Sequence, residues 1–228
     1  MVDATSFDET RRARTVIDHA RTSASSFFES YSIVRRERGA GSRAPTNTEQ
    51  DLSRAGLVFA AAGLDSSIKE LIRGAVPALA LLDDGVRNGL ESFVRSRLRK
   101  DQEAGGNARN RLLAQLLLVD CPSDVLLEEY VLDLTGSSLQ SSEELKRTAK
   151  ALDIEVNLLS DERDELKDAF EIRNKIIHEL DVKFGAGRGQ RKRNSRRKDD
   201  LEAKAHLLLD VGDSFIEAVE QKLAEYQE

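Results

Sequence analysis

From Leu57 to Leu64 the chain reads Leu-Val-Phe-Ala-Ala-Ala-Gly-Leu, apolar nearly all the way round a helix. A helix with no polar face has to sit in the middle of a domain, covered by other elements. The elements available to cover it are also helical. Apolar residues recur at spacings of three and four along most of the chain, and no stretch alternates in the manner of a strand. The fold class that follows is all-α.

Taken in order, Ser6-Phe7-Asp8-Glu9 reads as a capping box that opens a long helix to about Arg38. That helix has sparse apolar positions (Ile17, Phe28 and Val34 among them) and is basic at both ends. It reads either as an arm touching RNA or a partner, or as a solvated helix packed by one stripe. Residues 1–47 thus form an N-terminal helical arm and loop, and 48–228 the main domain. Asn47 or Thr48 is expected to cap the central helix, Gly74 to end it, and Pro77 to start a short buried piece that Asp83-Asp84-Gly85 breaks. Helices follow over 86–100, 112–119 and 122–134, then from Ser141-Ser142 to Leu152, with inserted helices around 105–155. Ser160 caps a helix through Leu180, and a last one runs from Asp199 to Tyr226.

Composition narrows the function. Charged residues make up 33% and aromatic ones 5%, which suits a helical protein free in solution. One cysteine, Cys121, excludes an intrachain disulfide and a cysteine-based zinc cluster, and it reads as a packed small residue. His19, His178 and His206 lie too far apart for metal-ligand spacing, so no metal and no cofactor is expected. His19 reads as a surface residue and His206 as a structural one. The polar, acidic start is unlike a signal peptide and no apolar run reaches about 18 residues, which points to the cytoplasm with no membrane contact. A net charge of −6 does not advertise nucleic-acid binding, but the charge is unevenly placed. Arg188, Arg191, Lys192, Arg193, Arg196, Arg197 and Lys198 follow one another with no acid between them, a local block able to bind phosphate.

Just upstream of that block lies Glu171-Ile172-Arg173-Asn174-Lys175-Ile176-Ile177-His178-Glu179-Leu180, where an arginine, a carboxamide and a histidine crowd into one amphipathic run. Asn174 and His178, four apart, lie about 40° from each other around a helix, whereas Arg173 lies about 140° from His178. One helix makes a loose site that a second surface, such as a second copy of the chain, has to complete.

Arg173-Asn174, three residues and then His178 resembles the R-N-x-x-x-H signature of HEPN domains. These are small all-helical domains, many of them metal-independent ribonucleases of toxin–antitoxin and phage-defence systems. The run Leu57–Asp65 followed by Ile68 and Leu71-Ile72 is similar to the first core helix of the RiboL-PSP subgroup of that family, whose acidic residue corresponds to Asp65. The resemblance spans about residues 48–226 and is firm at those two helices. It implies a HEPN-like helical bundle with extra helices and a basic loop. It further implies an endoribonuclease, a toxin or defence effector, with Arg173, His178 and Asn174 catalytic and Asp65 supporting them. Related toxins often carry a tyrosine two residues after the histidine; here that residue is Leu180, so neither regulation through that tyrosine nor the matching antitoxin is implied.

RNA is cut without a metal when a group deprotonates the 2′-hydroxyl, another protonates the leaving 5′-oxygen, and a cation neutralises the phosphorane. Histidine, with a side-chain pKa of about 6.5 in model peptides, can do either proton transfer, and arginine stays charged throughout. Lys175 and the seven basic residues from Arg188 to Lys198 are the candidate RNA contacts. The expected partners are RNA, a second copy in a homodimer, and an antitoxin or defence-system protein. The plain alternatives are that Arg173 forms an ion pair with another element, that His178 pairs with Asp181 three residues on, and that Asp65 is a hydrated carboxylate at the core's edge. The whole chain then reads as a non-catalytic RNA- or nucleotide-binding module or a helical interaction protein.

Overall fold

A computed structural model describes residues 7–39, 41, 43–103, 110, 114, 116–156, 163–182 and 193–227. Its named helices are α1 (Asp8–Glu37), α2 (Asn47–Leu82), α3 (Asp84–Glu103), α4 (Pro122–Thr135), α5 (Ser142–Leu152), α6 (Arg163–Glu179) and α7 (Lys198–Glu225). Among the described residues the only β pairing is one antiparallel bridge between Val182 and Arg193. The all-α reading is therefore what the chain adopts. No described helix is long and apolar enough to cross a membrane.

The central position of α2 follows from its sequence. Leu57, Ala60, Leu64, Ile68, Leu71, Ile72, Ala75, Val76 and Leu79 all sit at 1% exposure or less. α1 covers one side with a stripe at spacings of three and four: Ala13, Ile17, Ala20, Ala24, Phe28 and Tyr31. α7 covers another with Leu201, Ala205, Leu208, Phe215 and Val219. The residues expected as an N-terminal arm therefore lie inside the shared core, because alanines that carry little hydrophobic signal still allow a helix to approach closely. Phe59 escapes burial and packs its ring 5.0 Å from that of Phe27.

Several expected boundaries move, each for a physical reason. α2 opens on Thr46, not on Asn47 or Thr48. Thr46 accepts from the Glu49 amide at 3.2 Å while the Glu49 carboxylate accepts from the Thr46 amide at 2.7 Å, a full capping box. The Arg35 and Arg38 guanidiniums, the basic end of α1, also bond Glu49 and so pin the two helices together. Gly74 does not end α2. A Cβ there would lie 2.0 Å from the Glu9 carbonyl oxygen, so the glycine serves the crossing of α1. Pro77 stands inside the same helix; it forgoes one backbone bond, a cost of about 3 kcal/mol in an isolated helix, and the burial of Ala75, Val76 and Leu79 around it offsets this. At the other end α1 opens after Phe7 with no side-chain cap, while Ser6 lies outside the described residues.

The break at Asp83 is real. Its carboxylate caps α3 by accepting from the Val86 amide at 2.7 Å and also receives Lys222 Nζ from α7 and Tyr226 Oη from just past its end. Burial raises the Asp83 carboxyl, but the bonds from Lys222, Val86 and Tyr226 outweigh it and hold the group below the ordinary carboxylate range. α4 ends at Gly136 and α5 starts after Ser141, as expected. Cys121 is exposed, not packed, because the turn before Pro122 carries it outward. His206 is exposed too, as is His19. The Ser160 cap and residues 112, 113 and 115 lie outside the described residues.

Candidate active site

α6 is amphipathic, with Leu166, Ala169, Phe170, Ile172 and Ile176 buried and Lys175, Ile177, His178 and Glu179 exposed. Two anchors fix it against α2. Arg54, early in α2, meets Asp181 just beyond the end of α6. Asp65, three turns further along α2, accepts from the Leu139 amide at 2.7 Å, and the neighbouring Gln140 carbonyl accepts from Asn174 Nδ2 at 3.3 Å. Advancing along α2 thus means going backwards along α6, so the two helices run antiparallel.

The second anchor gathers most of the expected site. Arg173 donates through Nη1 to Asn174 Oδ1 at 2.8 Å, which fixes both side chains. Asn174 is held in turn by the 139–140 link, and that link is held by Asp65, whose other oxygen takes Lys69 Nζ at 2.9 Å. Asp65 therefore supports Asn174 at one remove, through backbone, and does not touch Arg173. The Arg173 Nε–H is buried with no hydrogen-bond partner among the described residues. A buried donor left unmade costs about 1–3 kcal/mol, so the guanidinium is held in place with bonding capacity unspent. The expected acidic partner for Arg173 from another element is not found among the described residues.

His178 stands apart. It is exposed, makes no hydrogen bond or ion pair among the described residues, and lies between exposed Ile177 and Leu180. The carboxylate expected beside it is engaged elsewhere. Asp181 is fully buried; its Oδ1 accepts from Asn194 at 2.8 Å and Arg196 Nη2 at 2.9 Å, its Oδ2 from Arg54 at 3.1 Å and Arg196 Nε at 3.2 Å. Burial raises this carboxyl, but the bonds from Arg196, Asn194 and Arg54 prevail and hold it below the ordinary range. To reach that pocket the chain leaves α6 through two left-handed residues, Leu180 at φ 51° and Asp181 at φ 56°. Two successive non-glycine residues there are strained by about 1–3 kcal/mol each, and the Asp181 network holds them.

The basic block is used in a way its composition does not reveal. Arg196 is spent on Asp181, Arg193 donates to Asp51 and to the Leu180 carbonyl at 3.0 Å, and Lys198 pairs with Glu202 at 2.7 Å. Arg197 is exposed at the N-cap of α7 without a partner among the described residues, and Lys175 is exposed on α6. Arg188, Arg191 and Lys192 lie outside the described residues. Sequence reasoning missed Arg54, Gln50 and Asn194, which complete the buried network. Arg54 carried a signal: a cation three residues after Asp51, on the face that the helix buries.

Among the described residues no group of three or more His, Cys, Asp or Glu side chains could hold a metal ion. No family model, curated protein or solved structure matches the chain.

Proposed function

We propose that the protein is a metal-independent endoribonuclease of the HEPN type, acting as a toxin or defence effector, with Arg173 and His178 as its reacting pair. The observation that supports this reading most is the contrast between the two side chains. Arg173 is clamped by Asn174 yet keeps an unspent buried donor, and His178 stands in solvent free to exchange a proton. In the proposed reaction a basic imidazole takes the proton of a ribose 2′-hydroxyl. The 2′-oxygen forms a bond to phosphorus, the bond to the 5′-oxygen breaks, and that oxygen leaves with a proton. The products are a 2′,3′-cyclic phosphate and a 5′-hydroxyl, and Arg173 neutralises the phosphorane between them.

The engagement of Arg193 and Arg196 in ion pairs moves the RNA contacts toward Lys175 and Arg197; Arg188, Arg191 and Lys192 stay candidates on sequence alone. The test is cleavage of a labelled RNA in excess EDTA. His178→Ala should lower the rate by about 10²–10⁴-fold, Arg173→Ala should do likewise, and both variants should keep the helical circular dichroism spectrum. Because the two act as one unit, the double variant should be barely worse than either single one. Replacing the attacking 2′-hydroxyl by hydrogen should abolish the cut. Cleavage that survives both single substitutions, or that requires magnesium, refutes the reading. Salt-sensitive RNA binding without cleavage would instead favour the non-catalytic module.

A further inference from the structure

A second site lies away from α6, in a cavity of about 800 Å³ between α3, α4 and α5. That volume is within the range of small-molecule sites. Its floor is a face of α3 on which Gly85, Gly89, Ser92 and Ser96 follow at helical spacing and leave no bulk. The closeness of the facing elements requires the glycines. A Cβ on Gly89 would lie 2.9 Å from the Tyr130 hydroxyl, and one on Gly85 would lie 2.3 Å from the Asp153 carboxylate.

Tyr130 is the group that points to a ligand. It is only 5% exposed, its ring packs 5.3 Å from that of Phe93, and its hydroxyl faces the cavity with no hydrogen-bond partner among the described residues. Burial pushes the hydroxyl up in pKa against the pull of Arg147, so it remains a donor at neutral pH. The hydroxyl is not among the buried unpaired groups, so it is open to the cavity and its hydrogen bond can pass from water to a ligand that enters. The cations beside it are also only partly used. Arg147 gives one end of its guanidinium to Asp133 and keeps its other donors, and Lys150, one turn further along α5, has no acid partner among the described residues. On the α3 side the polar groups are Asn88, Ser92 and Ser96, with Arg97 at one end paired to Glu129 at 3.7 Å.

We propose that this cavity binds a small phosphorylated polyol, its phosphate held by Lys150, Arg147 and the Tyr130 hydroxyl, its own hydroxyls by Asp133 and the polar face of α3. Two cations three residues apart on one helix face suit a phosphate, because charge-assisted bonds to its oxygens are the strongest available to the site. The carboxylate and the amide and hydroxyl side chains opposite them suit an uncharged, hydroxyl-bearing body better than an apolar one. Phe93, with the Arg97 guanidinium 5.9 Å over its ring, closes one end.

The test is calorimetric titration of the full chain with ribose 5-phosphate, ribose and inorganic phosphate. Ribose 5-phosphate should bind with a Kd below about 1 mM, and Lys150→Gln and Tyr130→Phe should each weaken it about tenfold or more at an unchanged melting temperature. Ribose and inorganic phosphate should bind much more weakly. No heat with ribose 5-phosphate overturns the proposal, as does binding indifferent to both substitutions or matched by inorganic phosphate. None of these readouts involves RNA cleavage, so this site and the one on α6 stand or fall separately.

Discussion

Asp181 shows what one buried carboxylate does in this molecule. It receives two guanidiniums and an amide, and it draws the chain through two left-handed residues directly after the helix that carries Arg173 and His178. Asparagine at this position would tolerate the backbone, since it is among the few residues that adopt that region readily, but it would leave Arg54, itself 2% exposed, with Asp51 alone as its charge partner. Asp181→Asn should therefore destabilise the fold by about 3 kcal/mol, the low end for breaking a buried pair, because Arg196 can turn toward water; urea denaturation would measure it. The pH dependence has a definite sign. The unfolded carboxyl takes up a proton near its ordinary value of 3.8, while the folded one resists to lower pH. Below 3.8 the unfolded state binds more protons, so the stabilisation is complete above that pH and is lost as pH falls toward the folded value. Asp83 and Glu49 are shifted in the same direction and add to the effect. Acid titration followed by circular dichroism should show the loss setting in below about pH 4 and a shallower loss in Asp181→Asn.

Among the elements, the α1–α2 pair carries the architecture, and small residues set its distance. A Cβ on Gly63 would lie 2.0 Å from that of Ala20. In a free helix Gly63→Ala should help by about 1 kcal/mol; here it should instead destabilise by about 1–3 kcal/mol, because the helices have to part. A rise in melting temperature for Gly63→Ala would show that the crossing is looser than this. The same pair shows how far the sequence could be read. The central helix was legible because Leu57–Leu64 leaves it no polar face. The helix of Arg173 and His178 was legible because apolar residues flank the polar ones at helical spacing. Gly74 and Pro77 misled because local signals describe what a backbone prefers, whereas here α1 crosses at Gly74 and the core carries the chain past Pro77. The long α1 could be read as an arm or as a helix packed by one stripe, and the stripe is what it buries, largely as alanine. The candidate site was legible as residue types only. Asn174 clamps its own neighbour Arg173, but that Asp65 reaches Asn174 through Leu139 and Gln140 and that Asp181 turns away from His178 depend on residues distant in sequence, which no local pattern encodes.

For the molecule as a whole, the site proposed on α6 predicts an assembly. Arg173 and His178 leave one helix about 140° apart, with the Arg173 guanidinium turned to Asn174 and His178 exposed to solvent. On the proposed reading, two chains related by a two-fold axis would bring an arginine and a histidine to one phosphate from facing sides. The surface around His178 suits such a contact: Ile177 is 40% exposed and Leu180 65%, apolar groups beside a functional candidate. Burying them against a second copy would also protect the strained exit from α6 and restrict the motion of His178. Light scattering should find a dimer at micromolar concentration. Ile177→Glu sets like charges against each other across the two-fold and should give a monomer that retains its helical spectrum and its thermal transition. That monomer should bind RNA but not cut it, because each copy keeps its basic groups and loses the facing side of its site. A monomeric protein that cleaves at the full rate would place all the reacting groups on one chain and refute the dimer.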